Sequence, residues 1–386
     1  MIESLTDRQR QVIDFLAGAQ PQMLELLQRI VDIDSGSYHK AGVDAVVAEL
    51  RDWLVRHGVA CELHRNQDAG NCLRALVPSE QGRPIVLMGH CDTVFPAGTA
   101  AQRPFRIDGD LAYGPGVADM KAGLVANSFV LAAFAQAGLR LPLVGLYTAD
   151  EEIASPASRS FIEAHASGAR AVFNSEPGRP SGNVVTGRKG ALFVDCEVRG
   201  IAAHAGGNFH EGASAIEALC RKVLQLHRLT DDEAGTTVNV GLIAGGSSVN
   251  TVAPLATAAV DVRFRTAEAM QDVQAKLAAI MAQVEVPGTC AHVRGQRHFL
   301  PLVETAASRA LFDAYVDAAG AVGFATGGEF SGGSADSGFT AAAGVPTLCG
   351  TGPVGGKVHT PDEWLKVSTM VPRAQAIALT ALRLSS

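Results

Sequence analysis

An apolar run that ends in two adjacent acids, Leu146-Tyr-Thr-Ala-Asp-Glu151-Glu152, constrains this chain more than any other segment. Neighbouring carboxylates repel, so a buried strand that delivers both to one place calls for positive charge to meet them. A second apolar run, Ile85 to Met88, ends in Gly89-His90-Cys91-Asp92. Glu176 follows a third, at about 170–175, and precedes a proline. In open α/β sheets ligands bind beyond the carboxyl ends of the strands, and that is where these side chains emerge.

The patterns between these runs predict the architecture. Helical periodicity covers Asp7 to Ile33, with a break near Gln20-Pro21, and Val43 to His57. Apolar strands at about 84–89 and 142–148 enclose an apolar helix that starts at Met120. Such alternation predicts an α/β catalytic domain, its mainly parallel sheet flanked by helices. From Ala191 the order changes to strand (191–199), helix (211–229), strand (236–244), strand (255–265), helix (267–283), strand (289–294). That β-α-β-β-α-β string predicts an inserted ferredoxin-like α+β domain. Its first strand alternates, Leu192, Val194 and Cys196 on one face and Asp195 and Glu197 on the other, as one-sided burial requires. The expected division is catalytic 1–186, inserted 187–295 and catalytic again 296–386.

A length of 386 residues accommodates two domains. The net charge of −7, with no basic stripe, argues against nucleic-acid and membrane-surface partners. Lys121, Asn127, Ser128 and Gln136 interrupt the apolar stretch Met120 to Gly138, which predicts a core helix rather than a membrane span. Seven cysteines without C-x-x-C spacing, and a start lacking a signal-peptide pattern, predict a reduced, cytoplasmic protein.

His90 and Asp92, two apart at a strand end, leave by the same face. They suit a metal-binding imidazole oriented by a carboxylate, and equally a His–Asp hydrogen bond closing a strand. Cys91 points the other way and reads as packing. Asp119, in the Gly-rich turn before the apolar helix, reads as an N-cap or as a carboxylate bridging two cations. His359, in a Gly-rich loop, reads as a ligand or as a surface imidazole. His204 reads first as a turn histidine, and Arg263, on an alternating strand, first as an exposed charge.

Gly89-His-Cys-Asp-Thr-Val, Tyr113-Gly-Pro-Gly-Val-Ala-Asp-Met-Lys and Asp150-Glu-Glu are followed in order by Ser175-Glu-Pro, Ala203-His-Ala-Gly, Gly332-Gly-Ser-Ala-Asp and His359. Together they resemble the motifs of the dinuclear zinc family of glutamate carboxypeptidase, aminoacylase, acetylornithine deacetylase and succinyl-diaminopimelate desuccinylase. The pattern is most similar to that of bacterial glutamate carboxypeptidase. The resemblance implies two zinc ions, replaceable by cobalt or manganese, bridged by Asp119. One would take His90 and Glu176, the other Glu152 and His359, with Asp92 orienting His90 and Glu151 serving as general base. It further implies a cis peptide at Asp119-Met120, and a homodimer in which His204 donates to the oxyanion across the interface. It implies Asn250 and Arg263 as substrate contacts, the arginine binding a carboxylate.

Two cations about 3.5–4 Å apart activate a water and polarise the carbonyl it attacks. The expected activity is hydrolysis of the amide joining an acyl or peptidyl group to a C-terminal amino acid, with glutamate or another acidic residue favoured. Its substrate would be a small N-acyl amino acid or short peptide. The rivals are an N-acyl-amino-acid deacylase of the acetylornithine or succinyl-diaminopimelate type, and a non-catalytic metal-bound peptide-recognition protein. Lys357 departs from the carboxypeptidase pattern and reads as a contact to an acidic substrate or as a solvated charge.

Overall fold

The computed structural model describes residues 5–79 and 82–385. The chain forms two compact units: residues 1–187, 302–331 and 339–386 in one, residues 188–301 and 332–338 in the other.

The first unit holds an eight-stranded sheet. Its order is Ala60–His64, Cys72–Leu76, Leu143–Thr148, Ile85–His90, Ala171–Asn174, Thr347–Cys349, Val184–Arg188, Gly328–Ser331. The four strands from Leu143–Thr148 to Thr347–Cys349 are parallel, and antiparallel strands flank them. Ile85–His90, Leu143–Thr148 and Ala171–Asn174 are buried at every position. Burial on both faces explains why they read as unbroken apolar runs. The register sets His90 beside Thr148 and Met88 beside Asn174, so the segments leading to Asp92, Glu151 and Glu176 leave by one edge.

The helix Ala122–Gln136 is buried from Ala122 through Phe134. Its polar residues serve that core. Asn127 donates to the Met88 carbonyl at 3.2 Å and accepts from Ser175 Oγ at 2.6 Å, while Ser128 Oγ donates to the Leu124 carbonyl and meets the Tyr147 hydroxyl, both at 2.8 Å. Near the N-terminus the expected break falls between helices Asp7–Ala17 and Gln20–Val31, with Thr6 and Gln9 forming a capping box on the first and Pro21 in the first turn of the second.

The second unit has strands Gly190–Arg199, Thr237–Gly245, Leu255–Phe264 and Cys290–Phe299 with helices Ala215–His227 and Ala267–Ala282. All pairings are antiparallel, and the third strand lies between the first and second while the fourth flanks the first. This is the ferredoxin-like order. Leu192, Val194 and Cys196 face Leu219, Met270 and Leu277 in the core beneath the helices. The last strand runs beyond the anticipated 294 because it pairs with the first as far as Phe299 and Ala191. The Gly-rich stretch 332–338 also belongs to this unit: Arg188 donates to the Gly333 carbonyl at 3.3 Å.

A smaller antiparallel sheet, Gly355–Gly356, Trp364–Lys366, Leu111–Tyr113 and Arg106–Asp108, completes the first unit. It carries the turn before Asp119 and the loop of His359.

Gly123 fixes how closely the buried helix approaches the strand that leads to Glu176, since a Cβ there would lie 1.9 Å from the Ser175 carbonyl oxygen. Gly123→Ala is expected to lower stability by about 1–3 kcal/mol in urea unfolding; an unchanged midpoint would contradict this packing.

Candidate metal centre

Asp92 is fully buried, and its carboxylate is the hub of the strand ends. Oδ1 accepts the Glu151 N–H at 3.0 Å, and Oδ2 accepts the Glu152 N–H at 3.1 Å and Ser37 Oγ at 2.6 Å. His90 Nδ1 lies 3.0 Å from the Asp92 main-chain oxygen and 3.3 Å from Oδ1, so its proton is held there and Nε2 turns outward. The main-chain turn that carries both acids is therefore tied to the residue that orients the imidazole.

Two groups of ligand-type atoms meet beyond these ends. His90, Asp119 and Glu176 form one, Asp119, Glu152 and His359 the other, each with ligand atoms within 4.8 Å of one another. Asp119 belongs to both: Oδ1 is 3.2 Å from His90 Nε2, and Oδ2 is 3.3 Å from His359 Nε2. His90 Nε2 is 3.7 Å from Glu176 Oε1, and His359 Nε2 is 3.1 Å from Glu152 Oε2. Glu151 is in neither group, its Oε2 3.9 Å from His90 Nε2.

The electrostatics show where positive charge is favoured. Burial opposes a charged His90, yet hydrogen bonds to Asp119 and Asp92 hold its pKa well above the ordinary value. Hydrogen bonds to Asp119 and Glu152 raise His359 to about 10. Burial would raise Asp119, but hydrogen bonds from His359 and His90 keep it well below the usual carboxylate range. Burial pushes Glu152 up to about 7 despite its bond to His359. Glu152 Oε1 is buried without a hydrogen-bond partner. A buried acceptor left over beside paired carboxylates and imidazoles is the chemistry a divalent cation satisfies, so this donor set fits metal ions.

Glu363 is the residue that sequence reasoning missed. It is buried, and accepts the N–H groups of Gly116 at 3.1 Å, Ala118 at 2.8 Å and Asp119 at 3.0 Å. Three main-chain donors on one carboxylate hold the turn that presents Asp119. Burial raises its pKa to about 7. Its only signal was an acid four residues after His359 in His-Thr-Pro-Asp-Glu. Gly116 has φ +71°, and a Cβ there would meet the Thr93 methyl at 2.5 Å. The peptide Asp119-Met120 is cis, and His359 has φ +64°.

The other sequence candidates belong to neither of these two groups. Cys91 is buried. Lys357 pairs with Asp362 at 3.4 Å, both mostly exposed. In the second unit, His204 and Asn250 sit on paired turns: His204 bridges Thr251, and Ala205 N donates to the Asn250 carbonyl. His204 Nδ1 accepts from Gly206 N and Gly207 N at 3.2 and 3.0 Å, which leaves the proton of a neutral ring on Nε2. Arg263 Nε and Nη2 donate to Asp261 at 2.7 and 2.8 Å, and Nη1 donates to Ser334 Oγ at 3.1 Å.

Comparison with known proteins agrees with this geometry. The profile of the peptidase family M20/M25/M40 matches residues 86–383. Carboxypeptidase G2 of Pseudomonas sp. (strain RS-16) is 27% identical over 369 residues, 92% of this chain and 87% of that protein. Succinyl-diaminopimelate desuccinylase of Albidiferax ferrireducens is 27% identical over 386 residues, 91% of this chain and 95% of that protein. An M20 family metallo-carboxypeptidase structure from Sulfolobus solfataricus has a TM-score of 0.75 at 18% identity, with 94% of this chain and 99% of that chain covered.

Two outcomes are expected. Cations must displace the imidazole protons, so zinc binding to metal-depleted protein at pH 7 should release protons, read by calorimetry in buffers of different ionisation enthalpy. Apparent affinity should rise with pH, the gain from His359 ending near its pKa of about 10. Glu363→Gln should weaken metal binding about 10- to 100-fold in chelator competition; unchanged affinity would deny it a part in holding Asp119.

Proposed function

This chain belongs to the peptidase family M20/M25/M40 and is a metal-dependent hydrolase, and we propose that it is a dizinc, glutamate carboxypeptidase-like amidohydrolase. It would release a C-terminal amino acid, glutamate or another acidic residue, from an N-acyl amino acid or short peptide. The observation that carries the reading is the Asp119 carboxylate, whose two oxygens each face a different imidazole. His90, Asp119 and Glu176 would hold one cation, and Asp119, Glu152 and His359 the other. Bound there, the pair would supply Lewis-acid polarisation of the scissile carbonyl and a water nucleophile available at neutral pH.

The chain's own residues handle protons and position. Glu151, outside both groups, would accept the proton of the attacking water on its carboxylate and return it to the departing amine. Asp92 keeps Glu151 and Glu152 in place through their main-chain N–H groups. His204, with its proton on Nε2, has the donor needed for a developing oxyanion. Arg263 would bind the substrate carboxylate, its guanidinium held in plane by Asp261. Asn250, on the turn paired with that of His204, would assist.

A homodimer is part of the reading. Thr237–Gly245 is an edge strand with Leu242 and Ile243 exposed, and Ile216 and Leu224 are exposed on the helix Ala215–His227, a surface suited to a second copy. The seven free cysteines support a cytoplasmic setting. A desuccinylase-type deacylase is the second reading, favoured by the equal identity to that relative.

The test is a panel of N-acyl amino acids with zinc-loaded enzyme, read for released amino acid. Release of glutamate or aspartate ahead of ornithine and diaminopimelate is expected, and the reverse order selects the second reading. Glu151→Gln should lower kcat by about 10²- to 10⁴-fold with metal content unchanged.

A further inference from the structure

Three helices, Asp7–Ala17, Gln20–Val31 and Lys40–Arg56, pack on the buried helix Ala122–Gln136. Where they meet they leave a cavity of about 350 Å³, within the range of small-molecule sites. None of its lining residues belongs to either ligand group of the metal centre or to the second unit. No role described above uses it.

One wall is aromatic. Trp53 and Phe129, both buried, lie with ring centroids 4.4 Å apart, and Phe15 stands 6.3 Å from Phe129. His57 stacks on Trp53 at 3.8 Å and donates from Nδ1 to the Trp53 carbonyl at 2.7 Å. The imidazole is thereby held against the indole. Rings fixed by one another in this way make a preformed platform for a further flat ring.

The polar wall comes from one helix face. Glu25 and Arg29 both line the cavity, one turn apart on Gln20–Val31. Arg29 Nε is turned to Glu49 Oε2 at 3.7 Å, beyond hydrogen-bond reach, and is buried without a hydrogen-bond partner. A buried guanidinium N–H lacking an acceptor is a cost that a bound carboxylate would remove. Two carboxylates, Glu25 and Glu49, stand beside this single guanidinium, which disfavours a plain anion. A plain cation would be repelled by Arg29 and leave its Nε unmet. A ligand with both charges on neighbouring groups satisfies both side chains, and an apolar remainder meets the rings. We propose that this cavity binds a free α-amino acid with an aromatic side chain. Its carboxylate would lie on Arg29, its ammonium on Glu25, and its ring against Trp53, Phe15 and Phe129. The site shares no residue with the metal centre, so the assignment stands apart from the hydrolase reading.

The experiment is calorimetric titration of zinc-loaded protein with L-phenylalanine and L-tryptophan. Alanine, phenylpropionate and phenethylamine, which lack the ring, the ammonium and the carboxylate, serve as comparisons. Each is expected to bind about tenfold more weakly, or worse, than phenylalanine. Arg29→Gln and Glu25→Gln should each weaken phenylalanine by about fivefold or more. Gly18 lines the cavity with φ −89°, and a Cβ there would touch nothing beyond its chain neighbours within 4 Å. Gly18→Leu should therefore fold with an unchanged thermal midpoint and metal content, fill the space and abolish binding. Arg263→Gln, in the second unit, should leave the affinity for phenylalanine as it is. Absence of saturable binding by both amino acids overturns the assignment. So does equal affinity for phenylpropionate or phenethylamine, or binding that Arg263→Gln removes and Gly18→Leu spares.

Discussion

One buried carboxylate organises this protein's chemistry. Asp92 accepts from Ser37, Glu151 and Glu152 and keeps the Nδ1 proton of His90 in place. A buried anion is costly unless its lone pairs are taken, and here three donors take them. In doing so Asp92 joins the ends of two parallel strands and a loop near residue 37. Its two main-chain bonds help hold Glu151 and Glu152 together against the repulsion of their carboxylates.

A second carboxylate does for the other half of the centre what Asp92 does for the first. Glu363 gathers three main-chain N–H groups of the turn that ends in Asp119. The small sheet pairs Trp364 with Tyr113, which brings Glu363 alongside that turn and carries His359 in the loop between. Asp119 can thus face His90 on one side and His359 on the other because both walls are anchored by buried, hydrogen-bonded acids. The orphaned Glu152 Oε1 marks where this network expects a further partner.

Much of this could be read from residue order. The buried runs that end at His90, Thr148 and Asn174 are apolar on both faces, so their strand character and the edge they share were visible. The alternation in Gly190–Arg199 likewise gave away a sheet covered on one face. Glu363 was not visible, because a carboxylate serving main-chain donors has the same local pattern as a solvated one. Nor was the pairing of Arg263 with Asp261: an i, i+2 pair on a strand is equally consistent with two charges facing water. The cavity beside Trp53 draws on Phe15 and Phe129, remote from each other in sequence, and nothing in either segment alone announces it.

The chain by itself determined the element types and which residues carry ligand chemistry, because periodicity and side-chain type are local properties. Tertiary structure alone decided that Asp119 has an imidazole on each oxygen, that Glu363 holds its turn, and that an aromatic cavity with an acid and a base in its wall lies among the helices. Those are distances between remote segments. They are set by strand register and by which buried acid finds which main-chain donor, and packing settles both only when the whole unit is assembled.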